Sequence, residues 1–125
     1  MTEAEAQDFA QEWIEAWNSH DLERILDHYT EDVEVTSPMV EAVLGPGRMT
    51  VRGKPALRSY WGTALERYPE LRFVLYRAYA GTHSVVLHYH SIQGLVAAEC
   101  MELDAEGRVS RVLAHYALGP DPAAA

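Results

Sequence analysis

The chain has 125 residues, enough for one domain with one real core. Hydrophobic residues make up 48% of it, which excludes a disordered chain. Nineteen acids against ten bases leave a formal net charge of -9, which argues against a nucleic-acid partner and against docking on anionic membranes, since both need a basic face. Cys100 is the only cysteine, so no intrachain disulfide and no thiolate metal cluster can form. The opening "MTEAEAQDF" is acidic and polar, unlike a secretory leader, and no apolar run is long enough for a membrane span. A soluble cytoplasmic protein is the expectation.

From Glu3 to Asn18, Ala6, Phe9, Ala10, Trp13, Ile14 and Trp17 recur in steps of three and four, one stripe of a helix. Asp21 is placed to cap a second, shorter helix with the stripe Leu22, Ile25, Leu26 and Tyr29. "TEDVEVTSP" alternates, with Val33, Val35 and Ser37 on one face, and reads as a short strand closed by Pro38. Residues 38 to 53, with three glycines and two prolines, read as a lid loop containing Met39, Val40, Val43, Leu44 and Met49. Gly53-Lys54-Pro55 opens a third helix, with the stripe Leu57, Tyr60, Trp61, Ala64, Leu65 and Tyr68. Four strands follow near 71–80, 84–92, 95–104 and 108–118, punctuated by Gly81, Gln93-Gly94 and Glu106-Gly107. Residues 1–118 form one domain on this reading, and 119–125 a frayed tail. The expected class is α+β: a cone of three N-terminal helices packed on a curved, mainly antiparallel sheet that encloses a cavity.

That order, with "WIEAWNSHDLERILDHYTEDVEVTSP" near one end and "AAECMELDAEGRVSRVLAHY" near the other, resembles the SnoaL-like branch of the nuclear transport factor 2 superfamily. Its clearest marks are the W-N-x-x-D-L turn and the D-x-x-G-x-V hairpin. The resemblance covers nearly the whole chain and implies fold far more firmly than function, since the superfamily holds ketosteroid isomerase, cyclases, hydrolases, dehydratases and noncatalytic binding domains. Laid over ketosteroid isomerase, the enzyme's tyrosine falls on Trp13, its base on Ser37 and its protonated acid on Glu99. Its pocket positions fall on Ala114, Tyr116, Tyr29 and Tyr60. The family usually dimerises through the outer sheet face, and Val85, Leu87 and Tyr89 fit such an interface, so the resemblance implies a homodimer.

The residues themselves single out Glu99. In "LVAAECMEL" it shares an otherwise apolar face with Leu95, Ala97, Met101 and Leu103. A carboxylate there is costly unless paired, hydrogen-bonded or neutral. A neutral Glu99 and the Trp13 indole N–H would be two donors for one ligand oxygen. Ser37 is too weak an acid to serve as a base, so a base must come from elsewhere. A two-residue Gln93-Gly94 turn sets His88 opposite Glu99, with His90 on the same face, as an acid–base dyad; one residue more or fewer turns both histidines away and lines the cavity with Val85, Leu87 and Tyr89. His88, His90 and Glu99 could alternatively hold a metal such as Fe(II), although nothing independent points to one. The bland readings are a self-satisfied Glu–His pair, interface histidines, or Glu99 paired with Arg52, Arg58, Arg72 or Arg77. His115 is expected to point away from the cavity, His20 and His28 to serve at the surface or as caps, and Glu41 stands as a second candidate base.

The leading expectation is a protein that binds a small, mostly apolar oxygenated molecule in a pocket including Tyr29, Ser37, Met39, Tyr60, Trp61, Met101, Ala114 and Tyr116. As an enzyme it would do cofactor-independent acid–base chemistry of the isomerase, cyclase, dehydratase or hydrolase type, with Glu99, Trp13 and His88 or His90 in catalytic roles and no metal. The competing class is a noncatalytic ligand-binding or dimerisation module.

Overall fold

The computed structural model describes residues 1–119, so the expected tail lies almost wholly outside the described residues. α1 (Glu3–Ser19) starts with a capping box in which the Thr2 hydroxyl accepts from Glu5 N and the Glu5 carboxylate accepts from Thr2 N. It ends at His20, whose φ of 60° is left-handed. α2 (Leu22–Leu26) is capped by Asp21, as its spacing predicts. Tyr29 does not extend that helix but begins strand β1 (Tyr29–Thr36).

Residues 38–53 are not a loop. They form helix α3 (Pro38–Leu44) and a short strand β2 (Thr50–Arg52). Ser37 caps α3 by accepting from Met39 N at 3.1 Å, and Pro38 occupies the first turn, where its missing N–H costs nothing. The fold therefore has four longer helical segments rather than three. α4 (Lys54–Arg67) follows Gly53, whose φ of 84° suits glycine. The meander is β3 (Val74–Ala80), β4 (Ser84–His90), β5 (Leu95–Leu103) and β6 (Val109–Leu118).

All six strands form one sheet in the order β2-β1-β6-β5-β4-β3, antiparallel except where β1 runs parallel to β6. Its inner face carries Val33 and Val35, Val85 and Leu87, Ala97 and Met101, and Val112, all buried against the helices. The segment leading into β3 is pinned to α1. Asn18 donates to Phe73 O at 2.9 Å and accepts from Phe73 N at 2.7 Å, while the His20 ring meets Leu71 O at 2.8 Å. This is an α+β cone, with α1 and α4 closing the hollow of the sheet. Among the described residues no helix is long and apolar enough to cross a membrane.

The β4–β5 connection decides which side chains face inwards. Ser91 N donates to Leu95 O, leaving Ile92, Gln93 and Gly94 as a three-residue turn with positive φ at Gln93 and Gly94. The expected two-residue turn is therefore corrected. Leu87, not His88, lies opposite Glu99, and His88 lies opposite Ala98. A one-residue change exchanges the faces of a whole strand. Burying Val85, Leu87 and Tyr89 instead of Val86, His88 and His90 removes more apolar surface from water and leaves both imidazoles out of the core.

Candidate functional site

The site is a cavity of about 60 Å3 inside the cone. α1 supplies Trp13 and Trp17, α4 supplies Tyr60 and Trp61 with Tyr68 at its C-terminal cap, and α3 with its cap supplies Ser37, Met39 and Val43. The sheet supplies Tyr89, Glu99 and Tyr116, and the segments at its open end supply Leu71, Phe73, Ser91 and Ile92. The rings interlock. Trp13 stacks on Phe73 at 5.8 Å, and Trp17 meets Trp61 edge-on at 5.0 Å. Tyr89 packs on Phe73 at 4.8 Å and on Trp13 at 5.2 Å.

Glu99 is the one buried carboxylate among the described residues, 8% exposed. It makes no ion pair with any described residue. Arg52 pairs with Glu34, Arg58 with Glu23, and Arg77 lies over the Tyr79 ring on the other side of the sheet. Burial in this aromatic setting pushes the Glu99 carboxyl up to about 7, and a hydrogen bond from the Tyr89 hydroxyl at 3.3 Å pulls it back in part. Near neutrality the group can hold a proton or give one up. Burial also raises the phenols of Tyr29, Tyr60, Tyr89 and Tyr116 above their ordinary range, and the Glu99 charge adds to each. These four hydroxyls remain protonated donors.

Trp13 is on the wall, but its donor is taken. Its indole N–H donates to the Tyr29 hydroxyl at 2.8 Å, so it does not form the expected second donor for a ligand oxygen. The indole N–H of Trp17 lies near the same hydroxyl without reaching hydrogen-bond geometry, and it is buried with no partner. Ser37 and Tyr89 lie beside Tyr116, where their hydroxyls partly offset the rise in its pKa. Ser37 thus serves as a helix cap and a wall residue, and no carboxylate stands at the base position the resemblance marks.

Seven of the expected residues meet at the cavity: Glu99, Trp13, Ser37, Met39, Tyr60, Trp61 and Tyr116. Tyr29 sits behind the wall, fully buried against Trp13. Met101 is in the dry core, and Ala114 borders a separate outer groove with Glu41. Glu41 is exposed and accepts from Gly47 N, away from Glu99.

His88 and His90 are on the outer face, where both rings pack edge-on to Tyr76, and the Tyr76 hydroxyl and His90 Nδ1 are 3.2 Å apart. Neither can form a dyad with Glu99 or share a metal with it. Among the described residues no three histidine, cysteine, aspartate or glutamate side chains gather as a metal site. His115 faces outwards as expected, and His20 caps α1. Sequence reasoning placed Tyr89 on the cavity wall only in the alternative register, and it missed the unpartnered Trp17 as a site residue. Tyr89 was findable from the apolar alternation of Val85, Leu87 and Tyr89, while Trp17 already stood on the helical stripe.

Comparison with known structures matches this geometry. A SnoaL-like protein of unknown function from Burkholderia thailandensis is 43% identical, with 94% of this chain and 98% of that one covered and a TM-score of 0.87. A candidate isomerase of the SnoaL-like family from Agrobacterium tumefaciens is 19% identical over 91% of this chain and 98% of its own, with a TM-score of 0.73. An epoxide hydrolase/cyclase-like enzyme with a role in pyran ring formation in the polyether salinomycin is 17% identical over 92% of each chain, with a TM-score of 0.71. At such identity the last two speak for the fold alone. The comparison with curated proteins found no match. The model of the SnoaL-like domain matches residues 10–118, nearly the whole cone, and the chain belongs to the SnoaL-like domain family.

Proposed function

We propose that this SnoaL-like protein binds a small, mostly apolar oxygenated molecule in its aromatic cavity and acts on it by cofactor-independent acid–base chemistry centred on Glu99. The observation that carries the reading is a buried carboxyl on the cavity wall, without an ion pair among the described residues and pushed by burial up to about 7. A group poised there is matched to proton transfer near neutral pH. Glu99 gives or takes the proton, and the Tyr116 phenol steadies the oxygen on which charge develops, while the Tyr89 hydroxyl holds Glu99 in place. Reactions that move one proton and need no second strong base suit this arrangement: isomerisation, cyclisation, dehydration or hydrolysis. Isomerisation by the ketosteroid route does not, because Ser37 stands where its base would be.

The test uses 1-butanol and 2-pentanone as probes, both slender enough for a chamber of about 60 Å3, with the emission of Trp13, Trp17 and Trp61 as readout. Saturable binding that weakens at least about tenfold in Glu99→Gln supports the reading. A cavity that binds neither probe refutes it. The second reading, a dimerisation module without turnover, draws support from the outer sheet face, where Val74 and Tyr79 are each 49% exposed. Val85, Leu87 and Tyr89, the residues first assigned to that interface, are buried inside the cone and leave this role. A homodimer through the outer face would use Tyr79, Val86, Val96 and Leu113 instead. Sedimentation as a monomer at micromolar concentration counts against it. The free thiol of Cys100 and the acidic surface suit a cytoplasmic setting.

A further inference from the structure

The cavity does not end at its own mouth. Tyr68, Leu71, Ser91 and Ile92 line it and also line an outer vestibule of about 370 Å3. These four make a neck between two chambers of different character. The inner one is aromatic around Glu99. The outer one is bordered by Arg67, Arg72, His90 and Glu70.

Among the described residues, the vestibule carries two cations outside the molecule's ion pairs. Five of its ten cations, Arg24, Arg52, Lys54, Arg58 and Arg111, are paired with surface carboxylates. Arg72 has no ion pair among the described residues. Arg67 uses one N–H to hold Ala42 O at 3.0 Å and keeps its remaining donors. Glu70 pairs with neither, so two arginines face one carboxylate, a local positive excess on a chain of net charge -9. A guanidinium is the side chain best suited to grip a carboxylate at two points. At the neck stands Ser91, only 5% exposed, whose side chain makes no capping hydrogen bond to the turn that follows it. Deeper still, the Trp17 indole N–H is buried without a partner. A buried donor left open at one end of a path, with two arginines at the other, calls for a ligand that supplies partners to both.

We propose that the site takes a slender carboxylic acid that lies through the neck, with its apolar chain in the inner chamber and its carboxylate held by Arg72 and Arg67. The inner chamber is smaller than the ~150 Å3 cavity that admits benzene, which selects against polycyclic bodies and for a thin acyl chain. An oxygen on that chain meets the Trp17 N–H and Glu99. This proposal rests on the reading of the cavity as a ligand site and adds the polarity and direction of the ligand.

The experiment is calorimetric titration of the whole protein with straight-chain alkanoates from butanoate to decanoate, each beside its methyl ester, near pH ~6, where the alkanoates are ionised. The expected result is an optimum chain length at which the acid binds about tenfold tighter than its ester, and an advantage that falls with added salt. Arg72→Gln removes most of that advantage and leaves ester binding unchanged. Arg67→Gln, which also frees Ala42 O, serves as the second variant. Esters that bind as tightly as the acids overturn the assignment of the carboxylate to the arginines while the cavity reading stands. Failure of every acid and every ester overturns both.

Discussion

Replacing Glu99 with glutamine gives the sharpest test of the site. In an unfolded chain the carboxyl titrates near its ordinary value of 4.5, and in the folded protein near 7. Each factor of ten in proton affinity is worth about 1.4 kcal/mol, so the separation corresponds to about 3 kcal/mol. The sign follows from which state holds the proton. Below pH ~4.5 both states are protonated and Glu99 adds no pH-dependent cost. Between ~4.5 and ~7 the unfolded chain releases the proton while the folded one keeps it, so the folded state loses ground. Above ~7 both are ionised and the full cost of about 3 kcal/mol remains. The contribution is therefore favourable in acid and is lost as pH rises through the folded value.

Glutamine has the same shape and no proton to release. Its own fit in the pocket adds an offset that does not change with pH. Stability of wild type minus that of Glu99→Gln should fall by about 2.5 kcal/mol from pH ~5 to ~8, or by roughly 10 °C in Tm for a chain of this size. Urea unfolding followed by tryptophan emission, run on both proteins across that range, reads it directly. The surface carboxylates titrate alike in both and cancel. A difference that stays constant within about 0.5 kcal/mol would mean that Glu99 is solvated, and the argument for a closed acidic cavity would fail.

Other perturbations test neighbouring parts of the site. Tyr89→Phe removes the hydrogen bond that holds the Glu99 carboxyl down, so carbon-13 NMR of labelled glutamate should show Glu99 titrating higher than in wild type; a downward move contradicts the assigned contact. Tyr29→Phe leaves the Trp13 N–H unpaired in the core and should cost about 1–3 kcal/mol in denaturant unfolding, whereas no measurable loss would mean that the pair is not formed. Leu87→Ala should cost about 2–5 kcal/mol, and His88→Ala should leave the Glu99 titration in place. The reverse pattern would restore the discarded register. Ser37→Ala should lose about 1 kcal/mol through the α3 cap, read as a lower urea midpoint at unchanged slope.

The helices α1 and α4 were legible because apolar residues recur at helical spacing and neither run is interrupted. The four strands of the meander were legible from alternation and glycine punctuation. α3 was not, because Pro38 after a strand and the later Gly45 and Gly47 read as breakers. The same residues hold the opposite signal: Ser37 as a cap, Pro38 in the first turn and acidic Glu41 close behind. The register error had a different origin. Gln93-Gly94 satisfies the chemistry of a two-residue turn, and nothing local forbids it. The choice is made at long range, by Val85, Leu87 and Tyr89 being worth more inside the cone than two histidines. Glu99 itself was legible because one carboxyl stands out on an apolar face. The loss of Trp13 as a free donor was not, since it depends on where Tyr29 ends up after a turn and a strand start.

The residues that make the cavity polar are poor choices for stability alone. Glu99 has Leu87 and Ala114 beside it across the sheet and Ala97 and Met101 along its own strand, so an apolar side chain would fit the surroundings better. Keeping the carboxyl costs about 3 kcal/mol at neutral pH, a large share of the roughly 5–15 kcal/mol that holds a domain together. The buried Trp17 N–H adds an unsatisfied donor to the same wall, where phenylalanine would leave none. A scaffold built only to dimerise through the outer face of its sheet has no need of either. Local rules broken together, at one cavity and on its inward side, are what a binding or catalytic site requires. The Trp17 N–H also lies on the path that ends at Arg72, so a ligand that spans the neck would supply the partner it lacks.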